Sequence, residues 1–185
     1  MATALLIMDV QQGIVARFGD DAGFLARVKV AADAARHAGV PVIYVVVAFR
    51  AGYPEISARN KTFAAIEGTG RMAPGDPGLP VHPAVAPHDG EVTVTKLRVS
   101  AFAGSDLELV LRSGGIDSLV LTGIATSGVV LSTVRQAADL DYQLTVLADG
   151  CLDADPEVHR VLTEKVFPRQ AEVTTVGEWI EGLRR

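Results

Sequence analysis

The sequence predicts a three-layer α/β/α domain built on a parallel sheet, and three observations predict it. Short runs of Val, Ile and Leu recur along the chain without polar alternation, which is the signature of strands buried on both faces. Segments of helical period separate these runs almost throughout, so parallel pairing with right-handed crossovers follows. No linker, repeat or low-complexity tract interrupts the 185 residues, so residues 1–185 are read as a single domain.

The first strand is Ala4–Met8, and it ends at Asp9. A carboxylate directly after a buried first strand faces the crevice at the carboxyl ends of the strands; the alternative is a turn cap. Gln11 to Gly23 is polar and glycine-containing and reads as a loop. Phe24, Leu25, Val28, Ala31, Ala32 and Ala35 follow helical spacing, and Gly39 closes that helix. Val40–Val47 is a second buried strand whose exit carries Phe49 and Arg50.

Arg50 to Asp89 is rich in proline and glycine, with one short helix expected around Arg59–Glu67. Loops this long in compact domains cover active sites or make subunit contacts. His82 and His88 lie here with prolines between them, which is no metal-binding spacing, so no metal site is expected.

Glu91–Thr95 is a third strand, ending at Lys96. Ser105-Asp106-Leu107-Glu108 has the form of a capping box, opening a helix that Gly114-Gly115 ends. Leu119–Thr122 is the fourth strand, feeding a small polar hinge, Gly123 to Gly128, and then a helix to about Asp141. Gln143–Leu147 is the fifth strand, with Asp149-Gly150-Cys151 after it. Asp155-Pro156 starts the next helix. Glu172–Val176 is the sixth strand, and Gly177–Arg185 the closing helix.

Composition bounds the partners. The chain is 49% hydrophobic and 21% charged, as ordinary soluble domains are. Net charge is −5 with no Lys/Arg cluster, so nucleic acid is not an expected partner. The N-terminal MATALLIMDV has no basic flank and no cleavage site, and no apolar run approaches the roughly 18–20 residues of a membrane span. A cytoplasmic location and no membrane partner are expected. The single Cys151 leaves no intramolecular disulfide.

No glycine-rich phosphate motif follows the first strand, no GxSxG occurs, and no helix carries two histidines four apart. What remains is Asp9 and Lys96, read as the ends of adjacent strands, plus the hinge. A buried Asp–Lys pair keeps both groups charged until a substrate desolvates it and raises the Asp pKa enough for proton transfer. A nucleophile often stands at the first helical turn after such a strand, but here that place holds Val129. Ser127 is a nearby hydroxyl without an evident histidine partner.

The stretches Leu5–Gln11 (LLIMDVQ), Val94–Phe102 (VTKLRVSAF) and Leu119–Ala137 (LVLTGIATSGVVLSTVRQA), with the final strand and its aromatic-containing helix, resemble the isochorismatase-like hydrolase superfamily. The resemblance covers nearly the whole chain. It implies a six-stranded parallel sheet in the order 3-2-1-4-5-6. It places the family's catalytic Asp, Lys and Cys at Asp9, Lys96 and Val129, and a non-proline cis peptide at Ile124–Ala125. In the amidase members, N–H groups beside that peptide help form an oxyanion site. Implied substrate contacts are Gln11, Arg50, Arg98, Phe102, Gly123, Ile124, Ala125, Ser127, Gly128 and Val129. No cofactor is implied, and the family's zinc-binding Asp-x-His is replaced by Ala48-Phe49-Arg50. Homodimers or homotetramers are the expected assemblies.

Valine at position 129 closes the thiol–acyl route of the family's amidases. The isochorismatase branch hydrolyses a vinyl ether without that cysteine, carrying glycine there, and valine would narrow its pocket. A dianionic substrate of that kind needs basic contacts, for which Arg50, Arg59 and Arg98 are candidates. The reading is a cysteine-independent hydrolase of a small anionic metabolite. Two alternatives stand beside it: a C–N hydrolase using Cys151 or Ser127, and a non-catalytic small-molecule-binding or oligomeric interaction protein of the same fold.

Overall fold

A computed structural model describes residues 2–19 and 21–184. Its six strands are β1 (Ala2–Met8), β2 (Val42–Val47), β3 (Val92–Lys96), β4 (Ile116–Ile124), β5 (Gln143–Leu152) and β6 (Glu172–Thr174). All pairings are parallel, in the order β3-β2-β1-β4-β5-β6. The helices are α1 (Gln12–Val15), α2 (Ala22–His37), α3 (Lys61–Ala64), α4 (Leu107–Ser113), α5 (Leu131–Asp139), α6 (Pro156–Val161) and α7 (Val176–Leu183).

The layers follow from the pleat, because successive side chains of a strand point to opposite faces. In β1, Leu5 and Ile7 join a core formed with Phe24, Val28 and Ala32 of α2, Phe63 of α3 and Trp179 of α7. Ala4, Leu6 and Met8 join the opposite core, with Leu107 and Leu111 of α4, Val134 and Ala137 of α5, and Leu162 and Phe167. Both faces of the central strands are thus covered, which is why the strands read as continuous apolar runs.

Several boundaries depart from the sequence expectations. The segment expected as a loop after Asp9 contains α1, because Ile14 and Val15 turn into the core. Helix α2 begins at Ala22, where the Asp21 carboxylate accepts the Phe24 N–H at 2.7 Å. The helix expected over Arg59–Glu67 is one turn, α3. No capping box forms at Ser105–Glu108: Ser105 donates to the Ala101 carbonyl at 2.6 Å, and Glu108 pairs with Arg112. The capping box instead opens α7, between Thr175 and Glu178, so Val176 is helical and not the end of β6. Arg185, the expected end of that helix, lies outside the described residues.

Strand β5 is longer than expected. Its pairing with β4 passes from Leu121↔Val146 to Gly123↔Cys151 through a bulge, so Cys151 lies inside the strand and not in a loop after it.

Candidate active site

The carboxyl end of the sheet collects the charged residues that the apolar strands end on. Asp9 follows β1 directly, with φ of 58° and its N–H bonded to the Val45 carbonyl at 2.8 Å. Lys96 is the last residue of β3. Strand β2 lies between the two, so they are not on adjacent strands as the sequence reading had it. Two strand spacings amount to about 10 Å, and the long lysine side chain closes that gap over the end of β2. Its Nζ lies 3.0 Å from Asp9 Oδ2 and also donates to the Arg98 carbonyl at 2.9 Å.

The pair is buried, with the Lys96 side chain 2% and the Asp9 side chain 8% exposed. Asp9 Oδ1 is buried with no hydrogen-bond partner among the described residues. Burial pushes the Asp9 carboxyl up to about 6, although the Lys96 ammonium pulls it down. A carboxyl held near neutrality with one free oxygen can deliver a proton and, once ionised, stay paired with the lysine.

The hinge lies alongside. Met8 is in register with Gly123, so the residues that follow them, Asp9 and Ile124, emerge side by side. Gly123 has φ of 143°, and a Cβ there would collide with the Met8 carbonyl oxygen. Glycine is therefore required by the approach of two strands. The Ile124–Ala125 peptide is cis. A wide turn follows over Thr126–Val130, in which the Val130 N–H reaches the Ala125 carbonyl at 3.3 Å.

Two N–H groups of the hinge are bonded within the protein. The Ser127 N–H is donated to Asp153 Oδ2 at 2.7 Å, and the Gly128 N–H to the Ala125 carbonyl at 3.0 Å. Val129 is 2% exposed and belongs to the core beneath α5. Ser127 is exposed, and no histidine bonds its hydroxyl among the described residues; His159 is bonded to Thr126 instead. Cys151 is buried, its Sγ 4.0 Å from the Leu121 carbonyl, and burial pushes its thiol up to about 12. A thiol in that state is protonated at neutral pH.

The remaining expected contacts divide. Gln11 is 1% exposed. Its amide donates to the Val47 and Leu79 carbonyls at 3.1 and 2.8 Å and accepts the Val47 N–H at 2.8 Å. It ties β2 to the proline-rich loop, and its polar atoms are turned to backbone and not to a ligand. Phe102 stacks on Tyr142 with ring centroids 5.9 Å apart. Phe102 is 8% exposed and belongs to the core on the α4 and α5 face.

Arg98 stays near Lys96. Its guanidinium donates to the Leu97 and Glu55 carbonyls at 2.6 and 2.8 Å, and it has no carboxylate partner among the described residues. Arg50 is exposed and pairs with the Glu55 carboxylate. Glu55 thus joins the two arginines, a role that nothing in the proline-rich loop's composition signals. Asp153 and His159, which no sequence motif marks, reach the hinge from the segment after β5.

Comparison with known proteins adds the following. Residues 3–178 match the isochorismatase domain family. An uncharacterised isochorismatase family protein of Bacillus subtilis (strain 168), YwoC, is 37% identical over 98% of this chain and 94% of its own length. The ureidoacrylate amidohydrolase RutB of Stutzerimonas stutzeri (strain A1501) is 35% identical over 84% of this chain and 71% of its own. Among solved structures, a cysteine hydrolase from Pseudomonas syringae pv. phaseolicola 1448A superposes with a TM-score of 0.89 at 25% identity, covering 98% of this chain and 92% of that one. N-carbamoylsarcosine amidase from Thermoplasma acidophilum superposes with a TM-score of 0.77 at 25% identity, over 95% of this chain and 97% of that one.

Proposed function

The chain belongs to the isochorismatase family of hydrolases, and on that footing we propose that it hydrolyses a small anionic metabolite without a cysteine nucleophile. Asp9 is the acid–base group and Lys96 its charged partner. The observation that carries this reading is the free, buried oxygen of Asp9, on a carboxyl raised to about 6 beside an ammonium 3.0 Å away. Vinyl-ether hydrolysis suits that equipment. Asp9 gives its proton to the terminal vinyl carbon, the π electrons forming the new C–H bond. Water adds to the resulting oxocarbenium carbon and loses a proton to Asp9. The hemiketal then splits into a ketone and an alcohol. No step uses a group at position 129.

Cysteine-dependent amide hydrolysis is disfavoured, since Val129 has no nucleophilic atom and the Cys151 thiol is protonated and buried. The anionic class follows from Arg98, whose charge no carboxylate neutralises among the described residues. A second, non-catalytic reading draws on closure: Asp9, Lys96, Ile124 and Val129 are 6%, 2%, 2% and 2% exposed, so entry requires the cover to move.

The test is to offer isochorismate and follow pyruvate, and to offer ureidoacrylate, nicotinamide and N-carbamoyl compounds and follow ammonia. Pyruvate release that drops about 10²–10⁴-fold in Asp9→Asn supports the acid role. Unchanged release in that variant sinks it. Ammonia release that survives Cys151→Ala and Ser127→Ala sinks the account of the missing nucleophile. No turnover of any substrate moves the balance to the non-catalytic reading.

A further inference from the structure

We infer that His159 and Asp153 are positioning residues, forming with Thr126 a clamp that fixes the hinge after β4 in the shape of the crevice wall. The effect on turnover rests on the function proposed above; the clamp itself does not.

The hinge needs an outside hold. Residues Thr126–Val130 do not form regular α-helix, and Gly128 at φ −100°, ψ −105° lies outside helical geometry. A regular hydrogen-bond ladder therefore does not set the backbone. Two consecutive residues are instead bonded to the segment after β5. The Thr126 side chain is fully buried, and its Oγ1 lies 2.8 Å from His159 Nδ1. The Ser127 N–H is given to Asp153 Oδ2 at 2.7 Å.

The two jaws are themselves joined. Asp153 Oδ1 accepts the Asp155 N–H at 3.3 Å, and the His159 N–H is donated to the Asp155 carbonyl at 3.0 Å. The Asp155 carboxylate caps α6 at the Glu157 N–H, 2.8 Å away. The start of α6 thus acts as one block pressed against the hinge.

The direction of the buried bond follows from its surroundings. His159 Nδ1 is the hydrogen-bond partner of the Thr126 hydroxyl among the described residues. A buried hydroxyl proton needs an acceptor, so Thr126 donates and the imidazole proton sits on Nε2. Burial lowers the His159 pKa while Asp153 raises it, and the net lowering favours the neutral ring that this bond requires. The clamp acts two residues after Ile124 and three before Val129. Loosening it displaces the wall beside Asp9 while leaving Asp9 and Lys96 untouched.

Hydrogen exchange followed by mass spectrometry tests the clamp without any substrate. In Thr126→Val and His159→Ala, the peptide covering residues 123–131 should exchange roughly tenfold faster, with the β1 peptide unchanged. His159→Asn places an amide oxygen where Nδ1 stood and should restore most of the protection. Asp153→Ala should act like His159→Ala, while Asp153→Asn keeps an acceptor and should act weakly. Where turnover has been found, kcat should fall roughly 10–100-fold in His159→Ala with KM little changed, and recover in His159→Asn. Hinge exchange that stays at the wild-type rate overturns the proposal. So does an equal rise in the β1 peptide, which would mark general loosening, or a failure of His159→Asn to rescue. If the wild-type protein turns over none of the substrates, the proposed function falls, and the exchange experiment still decides the clamp.

Discussion

The two sides of the sheet's carboxyl end, called walls below, are made of opposite materials. On the β1 and β3 side stand a buried carboxylate and a buried ammonium, with one carboxylate oxygen left without a partner. On the β4 and β5 side stand Gly123, Ile124, Val129 and Cys151, all buried and all without an ionised group, behind a turn whose Ser127 and Gly128 N–H groups are already used. Burying charge is costly, and a buried oxygen left without a partner adds to that cost, whereas burying the apolar wall is favourable. Under the proposed function, the difference would separate reactivity from shape: the first side would carry the proton and the second would set the form of the site.

The largest expected effects lie on the charged wall. Lys96→Ala leaves Asp9 buried beside no cation, so its carboxyl stays protonated and cannot be stabilised after giving up its proton. Turnover should fall by about 10²-fold or more. The pH dependence has a definite sign. Asp9 titrates near 6 when folded, above the ordinary carboxylate value of 3.8, so the folded chain binds this proton more tightly than the unfolded one. Asp9 therefore favours folding most at low pH, and its contribution declines as pH rises between about 4 and 6, by up to roughly 1.4 kcal/mol per unit. Urea titrations across that window should show the slope in the wild-type protein and its loss in Asp9→Asn. If the protonated form is the active one, kcat/KM should also decline above about pH 6. A kcat/KM flat across pH 5 to 8 would remove Asp9 from the acid role and blur the contrast between the walls.

The next effect belongs to the apolar wall and is one of shape alone. Gly123→Ala removes no chemical group, yet its Cβ meets the Met8 carbonyl oxygen at a φ of 143°. Forcing β4 from β1 there should cost about 3 kcal/mol or more of stability, read as a lower urea midpoint. A variant of wild-type stability would show that the strands part easily, and that this wall is not the rigid one.

The fold was legible because its signal is local. A strand covered on both faces is apolar throughout, and Asp9 and Lys96 stand out as the charges on which such runs end. Spatial order is not local, and periodicity does not reveal that β2 separates those two residues. The expected order 3-2-1-4-5-6, supplied by family resemblance, agrees with the structure and already contained that fact. The reach of β5 was hidden by its bulge, since pairing that resumes at Cys151 leaves no mark on a sequence that breaks pattern at Asp149-Gly150. Gln11 and Phe102 were assigned by their place in motifs. Only the contacts show that one is consumed by backbone groups and that the other's ring pairs with Tyr142. Asp153 and His159 have no periodic signature, because their partners arrive from another strand's end.

The smallest expected effect gives the sharpest comparison. Cys151 is the one cysteine of the chain and is paired in register with Gly123 on the apolar wall. If that wall supplies only shape, the thiol has no chemical duty. Cys151→Ala should then cost about 1 kcal/mol through the lost sulfur contacts and leave turnover within about twofold. A thiol raised to about 12 by burial should also resist alkylation in the folded protein at pH 8, and react only once urea unfolds the chain. Rapid labelling of the native protein, or loss of turnover in Cys151→Ala without loss of stability, would place a reactive group on the apolar wall. The division between the two walls would then fail at the position where a sulfur atom is present to test it.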